Sequence, residues 1–216
     1  MKIIKQLYRL LTPNILKGFV IIYYLTGVIG LLHPLPQSFF ETLVPLSLII
    51  SILLLGIMHR PWNLRFIITC CIIWVLSFLI EVAGVKTGKI FGDYFYGNGL
   101  GIKLLDVPLL IGINWLILTY SVIQVLKNRM NMIALLMTGS FLLVIFDLVL
   151  EPVAIHYSWW IWQKGAVPLQ NYIAWYFTSI VLLFILVKSG PQDKNPLAPW
   201  ILITQFIFFL ILNLFV

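Results

Sequence analysis

Residues 146–175 read FDLVLEPVAIHYSWWIWQKGAVPLQNYIAW. Two carboxyl residues, Asp147 and Glu151, lie within an apolar run, and three tryptophans follow them within four positions. An apolar run of this kind is typical of a helix in a lipid bilayer, where acidic side chains are rare and mark functional sites. The stretch therefore predicts a membrane helix that carries a functional pair of acids.

The composition of the whole chain agrees with a membrane protein. Of the 216 residues, 62% are hydrophobic and 10% are charged, and the mean hydropathy is +1.05. Soluble domains contain about 45–50% apolar and about 25% charged residues. Because a spanning helix needs about 20 apolar residues, the length fits an all-α integral membrane bundle of about seven transmembrane helices. We expect a single membrane-embedded domain covering residues 1–216.

Seven apolar runs divide the chain in the way that this bundle requires. They cover residues 15–32, 39–58, 66–84, 104–126, 132–153, 172–187 and 197–216. The segments between them contain prolines, glycines and charges, as in KSGPQDKNP at 188–196, and such residues are typical of turns. The sequence therefore predicts seven helices, with one longer glycine-rich segment at 84–103.

The lysines and arginines are unevenly distributed between the two sides of this bundle. Four of them, Lys86, Lys89, Lys103 and Lys164, lie on one side, and the other ten lie on the side of the N-terminus. Because cytoplasmic loops carry the excess of positive charge, we expect the N-terminus inside and the C-terminus outside. The net charge of +7 then reflects topology and contact with anionic lipid head groups. It does not indicate a nucleic-acid partner.

Acidic residues are predicted to meet at the outer ends of three helices. In this topology they are Glu81, Asp106, Asp147 and Glu151, with Asp93 in the loop above them. An ionised side chain at the bilayer centre costs about 2.5–3.5 kcal/mol, so the cluster indicates function. The alternative is that these acids are interfacial or cap helices. For Asp106, two residues before Pro108, an N-cap is an equally good interpretation.

The spacing of Asp147 and Glu151 favours acid catalysis over an interfacial role. Residues four apart share one face of a helix, so two negative charges there repel and one of the two groups is expected to hold a proton. A buried carboxyl group that keeps its proton is what a general acid requires. Pro152 is expected to bend or end the helix and to turn Glu151 away from lipid.

Aromatic residues surround the predicted acid cluster. Tyr157, Trp159, Trp160, Trp162, Tyr172 and Trp175 follow the acid pair. They are either an interfacial belt or the walls of a cavity in which ring faces stabilise a cation. The glycine-rich segment is expected to pack Asp93, Tyr94 and Tyr96 over the acids. An acid enclosed by aromatic walls suits the protonation of an alkene.

Residues 81–115 and 146–175 resemble the two signature regions of the membrane carotenoid biosynthesis family. This family includes the CruF-type carotenoid 1',2'-hydratases and the bisanhydrobacterioruberin hydratases. In the first region the matching positions are Glu81, Thr87, Gly88, Phe91, Gly92, Tyr94, Tyr96, Leu100, Gly101, Val107, Pro108 and Trp115. In the second they are Asp147, Glu151, Pro152, Trp160, Trp162, Gly165, Val167, Pro168, Asn171 and Trp175.

The resemblance implies a hydratase that needs neither a metal nor a redox cofactor. Such enzymes add water to the terminal isopropylidene double bond of an acyclic carotenoid end, as in lycopene or γ-carotene, through a tertiary carbocation. Glu81, Asp147 or Glu151 would donate the proton, and Asp106 or Asp93 would orient the water. The expected substrate-binding residues are Tyr94, Tyr96, Trp115, Trp160, Trp162, Asn171 and Trp175.

The resemblance also implies a setting for the reaction. The expected partners are a long polyene, the lipid bilayer and other carotenoid biosynthesis enzymes, and the expected location is the cytoplasmic (inner) membrane of a prokaryote. Two alternatives remain open. One is a carotenoid end-group cyclase, which would start with the same protonation. The other is a non-catalytic carotenoid-binding protein or transporter; a transporter would need polar residues throughout the bilayer depth, whereas FIITCCIIW and MIALLMTG in the inner halves of two helices are nearly bare of them.

Overall fold

The computed structural model describes residues 12–33, 37–127, 129–190 and 193–216, with the backbone alone described at 37–42. Seven α-helices and four short strands form within these ranges. The helices are α1 (Pro13–Leu32), α2 (Gln37–Met58), α3 (Leu64–Thr87), α4 (Leu110–Leu126), α5 (Met132–His156), α6 (Leu169–Val187) and α7 (Ala198–Leu212). The strands are β1 (Tyr94–Tyr96), β2 (Lys103–Leu104), β3 (Val107–Pro108) and β4 (Trp160–Trp162).

The predicted all-α membrane bundle is confirmed. Helices α1, α3, α5 and α6 are each long and apolar enough to cross a membrane, and α4, α7 and the Leu43–Met58 part of α2 are shorter apolar helices. Helix α3 has 24 residues, which corresponds to about 36 Å at the usual rise per residue. The chain is therefore an integral membrane protein.

Polar residues between the apolar runs fix where three helices begin. The side chains of Thr12, Asn63 and Asn131 accept hydrogen bonds from backbone N–H groups three residues later, at the starts of α1, α3 and α5. These contacts satisfy amides that have no partner within the helix. Helix α3 ends at Gly88, which has a φ of 64°, a conformation that suits glycine.

The fourth helix begins later than predicted. Residues from Leu104 onward were expected to be helical, but β2 and β3 pair as a hairpin in which Lys103 lies opposite Pro108. Leu105 and Asp106 form its turn with φ values of 54° and 69°. The predicted N-cap at Asp106 is therefore wrong, because α4 begins at Leu110 and its N-cap position, Leu109, has no side-chain cap.

Helix α5 continues through Pro152 to His156 and does not end at the proline. Proline has no N–H, so the Leu148 carbonyl loses its helical partner there. Asn213, just after α7, donates its side-chain N–H to the neighbouring carbonyl of Val149. Asn213 thus links the end of α7 to α5 two residues before Glu151.

Helix α4 lies at the centre of the bundle. It packs against α2, α3, α5, α6 and α7, which explains how a short helix can remain shielded from lipid. Gly112 allows its close approach to α3, because a Cβ atom there would lie 2.6 Å from the carbonyl oxygen of Trp74. The first turns of α4 are therefore held in a fixed position against α3.

A two-stranded ribbon covers one end of the bundle. Strands β1 and β4 are antiparallel, with Tyr94 opposite Trp162 and Tyr96 opposite Trp160. Alternate residues of a strand point to opposite faces, so these four aromatic side chains are buried while Phe95 between them is 46% exposed. The ribbon therefore presents four aromatic rings to the helix ends below it.

Candidate active site

Three carboxyl groups meet beneath the ribbon. Glu81 comes from α3, and Asp147 and Glu151 come from α5; their exposures are 4%, 0% and 2%. They line a cavity of about 30 Å³, here called the chamber. Its other lining residues are Phe91, Tyr94, Tyr96, Ile111, Asn114, Trp115, Leu150, Trp160, Trp162, Asn171 and Trp175. The chamber is about the size of one or two water molecules.

Both oxygens of Glu81 accept hydrogen bonds. The hydroxyls of Tyr94 and Tyr96 donate to Oε2 over 2.6 Å and 2.9 Å, and the indole N–H of Trp115 donates to Oε1 over 3.0 Å. Burial, followed by the charge of Glu81, raises the pKa of each tyrosine well above its ordinary value. Both hydroxyls therefore keep their protons and remain donors to Glu81.

Asp147 and Glu151 share a donor. The side-chain N–H group of Asn171 donates to Asp147 Oδ2 over 2.7 Å and to Glu151 Oε1 over 3.3 Å. The indole N–H groups of Trp160 and Trp162 each donate to Glu151 Oε2 over 2.9 Å. Asp147 Oδ1 is buried and has no hydrogen-bond partner among the described residues. Of the six carboxyl oxygens around the chamber, this one alone accepts no hydrogen bond from the described residues.

The structure brings most of the predicted site residues together. Glu81, Tyr94, Tyr96, Trp115, Asp147, Glu151, Trp160, Trp162, Asn171 and Trp175 all line the chamber. The rings of Trp115 and Trp175 lie 4.1 Å apart between centroids. Because the tryptophans of the chamber are buried and three of them donate to carboxyl groups, an interfacial belt does not describe them.

Asp106 and Asp93 do not join this cluster. Asp106 is exposed in the β2–β3 turn and pairs with Lys86, whose hydrogen bond and charge lower the pKa of Asp106. The Asp93 side chain is exposed and lies against Gly88 at the end of α3. The expectation that these two acids sit over the chamber is wrong, because the hairpin and the ribbon turn both side chains outward.

An apolar groove runs along the membrane-facing part of the bundle and ends at the chamber. It has a volume of about 260 Å³ and is lined mainly by α1, α2, α4 and α7. Ile22 is one of its lining residues and is 65% exposed, so the groove opens toward the lipid side. The sequence did not predict this groove, because its walls come from four helices whose mutual positions only the tertiary packing defines.

Groove and chamber share part of their walls. Among the described residues, Ile111, Asn114, Leu150 and Trp160 line both cavities. We call this shared region the junction. Asn114 was not predicted as a site residue, although an amide beside Trp115 in an otherwise apolar helix was a visible signal. The arrangement can place an apolar chain end in the groove and against the carboxyl groups.

Comparison with known proteins agrees with this site. A family model described as "Carotenoid biosynthesis protein" matches residues 41–216. The chain is also similar to the bisanhydrobacterioruberin hydratase of Haloarcula japonica, with 34% identity over 119 residues, which is 50% of this chain and 40% of the relative. The chain thus spans less than half of that relative's length in the match. No solved structure matches it. Because the family model covers most of the chain and every residue of the chamber, the chain belongs to the carotenoid biosynthesis protein family.

Proposed function

We propose that this protein is a carotenoid 1',2'-hydratase, which adds water to the terminal isopropylidene double bond of an acyclic carotenoid such as lycopene or γ-carotene. One observation carries the proposal: a chamber of about 30 Å³ with three buried carboxyl groups shares part of its wall with an apolar groove of about 260 Å³. The groove suits a polyene end. The chamber suits water.

The sizes of the two cavities determine where the reacting bond lies. An isoprenoid end is much larger than the chamber, so its alkene approaches the carboxyl groups of the chamber from the junction. The rest of the polyene lies along the groove or in the bilayer, which dissolves it. A water-sized polar space beside the acids favours hydration over cyclisation, in which the cation must be attacked by its own chain.

The proposed reaction begins at Asp147. Asp147 and Glu151 lie one helical turn apart in a buried space, so one proton is retained between them. Asp147 Oδ1, which no described residue engages, delivers this proton to C-2 of the alkene and leaves a tertiary cation at C-1. The carboxylate of Glu151 and the ring of Trp160 stabilise the cation by charge and by the ring quadrupole.

Water then completes the reaction. Its oxygen forms a bond to C-1, and the proton that it loses passes to a carboxylate of the chamber, Glu81 or Glu151. Transfer of that proton to Asp147 restores the starting state. The sum is alkene plus water to tertiary alcohol, a hydro-lyase reaction run in the direction of addition, and its acid-base steps use side chains alone.

The proposal includes a topology. The chamber lies at the end of the bundle opposite the start of α1, since the Tyr157 hydroxyl donates to the carbonyl of Leu31 near the end of α1. With the N-terminus inside, as the charge distribution favours, the chamber is on the outer side of a prokaryotic inner membrane. The whole chain acts as one domain there, next to the enzymes that make its polyene.

Expression of the full chain in bacteria that accumulate lycopene or γ-carotene tests this function. We expect a product heavier by one water molecule with an unchanged polyene absorption. Asp147→Asn and Glu151→Gln should abolish this product, and Asp106→Asn, an exposed acid outside the chamber, should retain it. A product of unchanged mass with a shortened chromophore would establish a cyclase. Unaltered pigment with both substrates would favour a binding protein or a transporter.

A further inference from the structure

Asn114 lies where the groove meets the chamber. It is half-buried and lines both cavities from the first turns of α4. The next residue, Trp115, donates to Glu81 Oε1 and so points toward the carboxyl groups. Successive residues of a helix are about 100° apart around its axis, which places Asn114 at the edge where the chamber and the groove share a wall.

Asn114 differs in chemistry from the other residues of the junction. Ile111 and Leu150 are apolar, and the N–H of Trp160 already donates to Glu151 Oε2 over 2.9 Å. In the part of the chain that the structure describes, no hydrogen bond engages the Asn114 amide. A half-buried amide of this kind forms hydrogen bonds with whatever occupies the cavity beside it. The amide therefore offers both a donor and an acceptor to whatever enters the junction.

The position of this amide is fixed by the packing of α4 on α3. Gly112, two residues before Asn114, lies in close contact with the backbone of Trp74. The indole N–H of Trp74 donates to the carbonyl of Leu109 over 3.2 Å. Both contacts hold the start of α4 in register with the helix that carries Glu81. Asn114 and Glu81 thus keep a constant relative position.

We propose that Asn114 holds the water molecule that attacks C-1. This inference rests on the proposed hydration. The amide oxygen accepts one O–H of the water, which turns a lone pair of the water toward the cation. The new C–O bond forms as the water loses its other proton to Glu81 or Glu151. A neutral amide suits this position because, unlike a carboxylate, it does not itself form an ester with the cation.

Replacement of Asn114 should separate protonation from hydration. In D₂O, the unmodified protein should give a hydrated carotenoid with deuterium at C-2. In Asn114→Leu, we expect the hydrated product to fall by roughly tenfold to a hundredfold, as for loss of a hydrogen bond to a developing charge. Without positioned water the cation reverts to an alkene, so the recovered substrate should gain deuterium. Mass spectrometry measures both quantities in one extract, and a merely structural role would not produce this exchange.

Three further variants make the test decisive. Asn114→Ser keeps a hydrogen-bonding group and should retain most of the hydration. Asn114→Ala removes the amide without adding bulk and should behave like Asn114→Leu. If size-exclusion chromatography shows that the leucine variant does not fold, the alanine variant tests the role of the amide instead. Ser121→Ala is the matched control, because Ser121 is buried on the same helix, outside both cavities, and its hydroxyl has no described partner.

Two results would overturn the role of Asn114. One is hydration at the unmodified rate in the leucine and alanine variants. The other is a folded variant that loses hydration and deuterium exchange together. Failure of the hydratase function itself looks different, since the unmodified protein would then show neither hydrated product nor deuterium in the recovered carotenoid.

Discussion

The side-chain N–H group of Asn171 donates to Asp147 Oδ2 over 2.7 Å and thereby joins α6 to α5 inside the chamber. The same nitrogen lies 3.3 Å from Glu151 Oε1. One neutral donor thus contacts both acids of the pair and fixes the orientation of each carboxyl group. Helix α6 positions the acids even though it contributes no acid of its own to the chamber.

Asn171→Leu is expected to impair both stability and hydration. Loss of the donor leaves buried acceptors unsatisfied, which costs about 1–3 kcal/mol, and misplacement of the acids should lower the hydration rate roughly tenfold or more. Thermal unfolding in detergent and pigment analysis measure the two effects. Asn98→Ala, an exposed amide of the loop, serves as control. Unchanged hydration in Asn171→Leu would show that α6 does not position the acids.

Tyr94 and Tyr96 should be partly interchangeable as donors to Glu81. Each hydroxyl donates to the same oxygen, Oε2, so either single phenylalanine variant leaves that oxygen one donor. The double variant leaves it none, and we expect a loss of about 1–3 kcal/mol in the free energy of unfolding, more than the sum of the single losses. A double-mutant cycle by thermal unfolding measures the difference. Additive single effects would contradict the shared role.

Closure of the groove should block the substrate without disturbing the acids. Ser47 lines the groove on α2, and its hydroxyl donates within its own helix to Val44. Ser47→Phe places a ring in the groove, so we expect pigment conversion to fall about tenfold or more. Ser47→Ala, which leaves the groove open, should convert pigment normally. Equal conversion by both variants would mean that the polyene reaches the chamber by another route.

His59, at the end of the bundle opposite the chamber, is expected to make the stability of the protein depend on pH. Its ring is buried, with Nε2 lying 3.2 Å from the Pro61 carbonyl and Nδ1 lying 2.8 Å from the Tyr120 hydroxyl. Nε2–H therefore donates to the carbonyl, and the tyrosine donates to Nδ1. Burial lowers the pKa of His59 below its ordinary value of about 6.5.

The direction of the pH effect follows from proton uptake. Below about pH 6.5 the unfolded chain binds a proton at His59 more readily than the folded chain does. The stabilisation that neutral His59 contributes is therefore present above that pH, and it is lost as the pH falls toward the lower pKa of His59 in the folded protein. The melting temperature should drop from about pH 7 to about pH 5, and less so in His59→Gln. Equal slopes for the two proteins would exclude His59 as the cause.

The sequence predicted the bundle and most of the chamber for identifiable reasons. Apolar runs predict membrane-spanning helices directly, and an acid pair such as Asp147 and Glu151 is conspicuous within such a run. Tyr94, Tyr96, Trp160 and Trp162 were found through the family resemblance, whereas the strands that hold them were not predicted. Asp106 was misplaced because apolar residues lie on both sides of it, so that the hairpin resembles the start of the apolar helix that follows.

The groove and the role of the junction depend on tertiary packing. Helices α1 and α7 show no signal for a cavity between them, because residues such as Gly27 and Phe208 look like ordinary lipid-facing or core residues until the helices are placed side by side. A functional role for Asn114 is indicated only by its position between two cavities, which the sequence does not show. The hydrophobic periodicity of a sequence describes each helix separately and does not predict the cavities between helices.

The carboxyl groups occupy one end of the bundle, and under the proposed hydration this placement sets the order of events for a symmetrical polyene. Such a molecule presents one terminus to the acids at a time, and its far terminus must leave the protein and return before it can react. The singly hydrated pigment should therefore be released and accumulate before the doubly hydrated one. A time course with lycopene would show this succession.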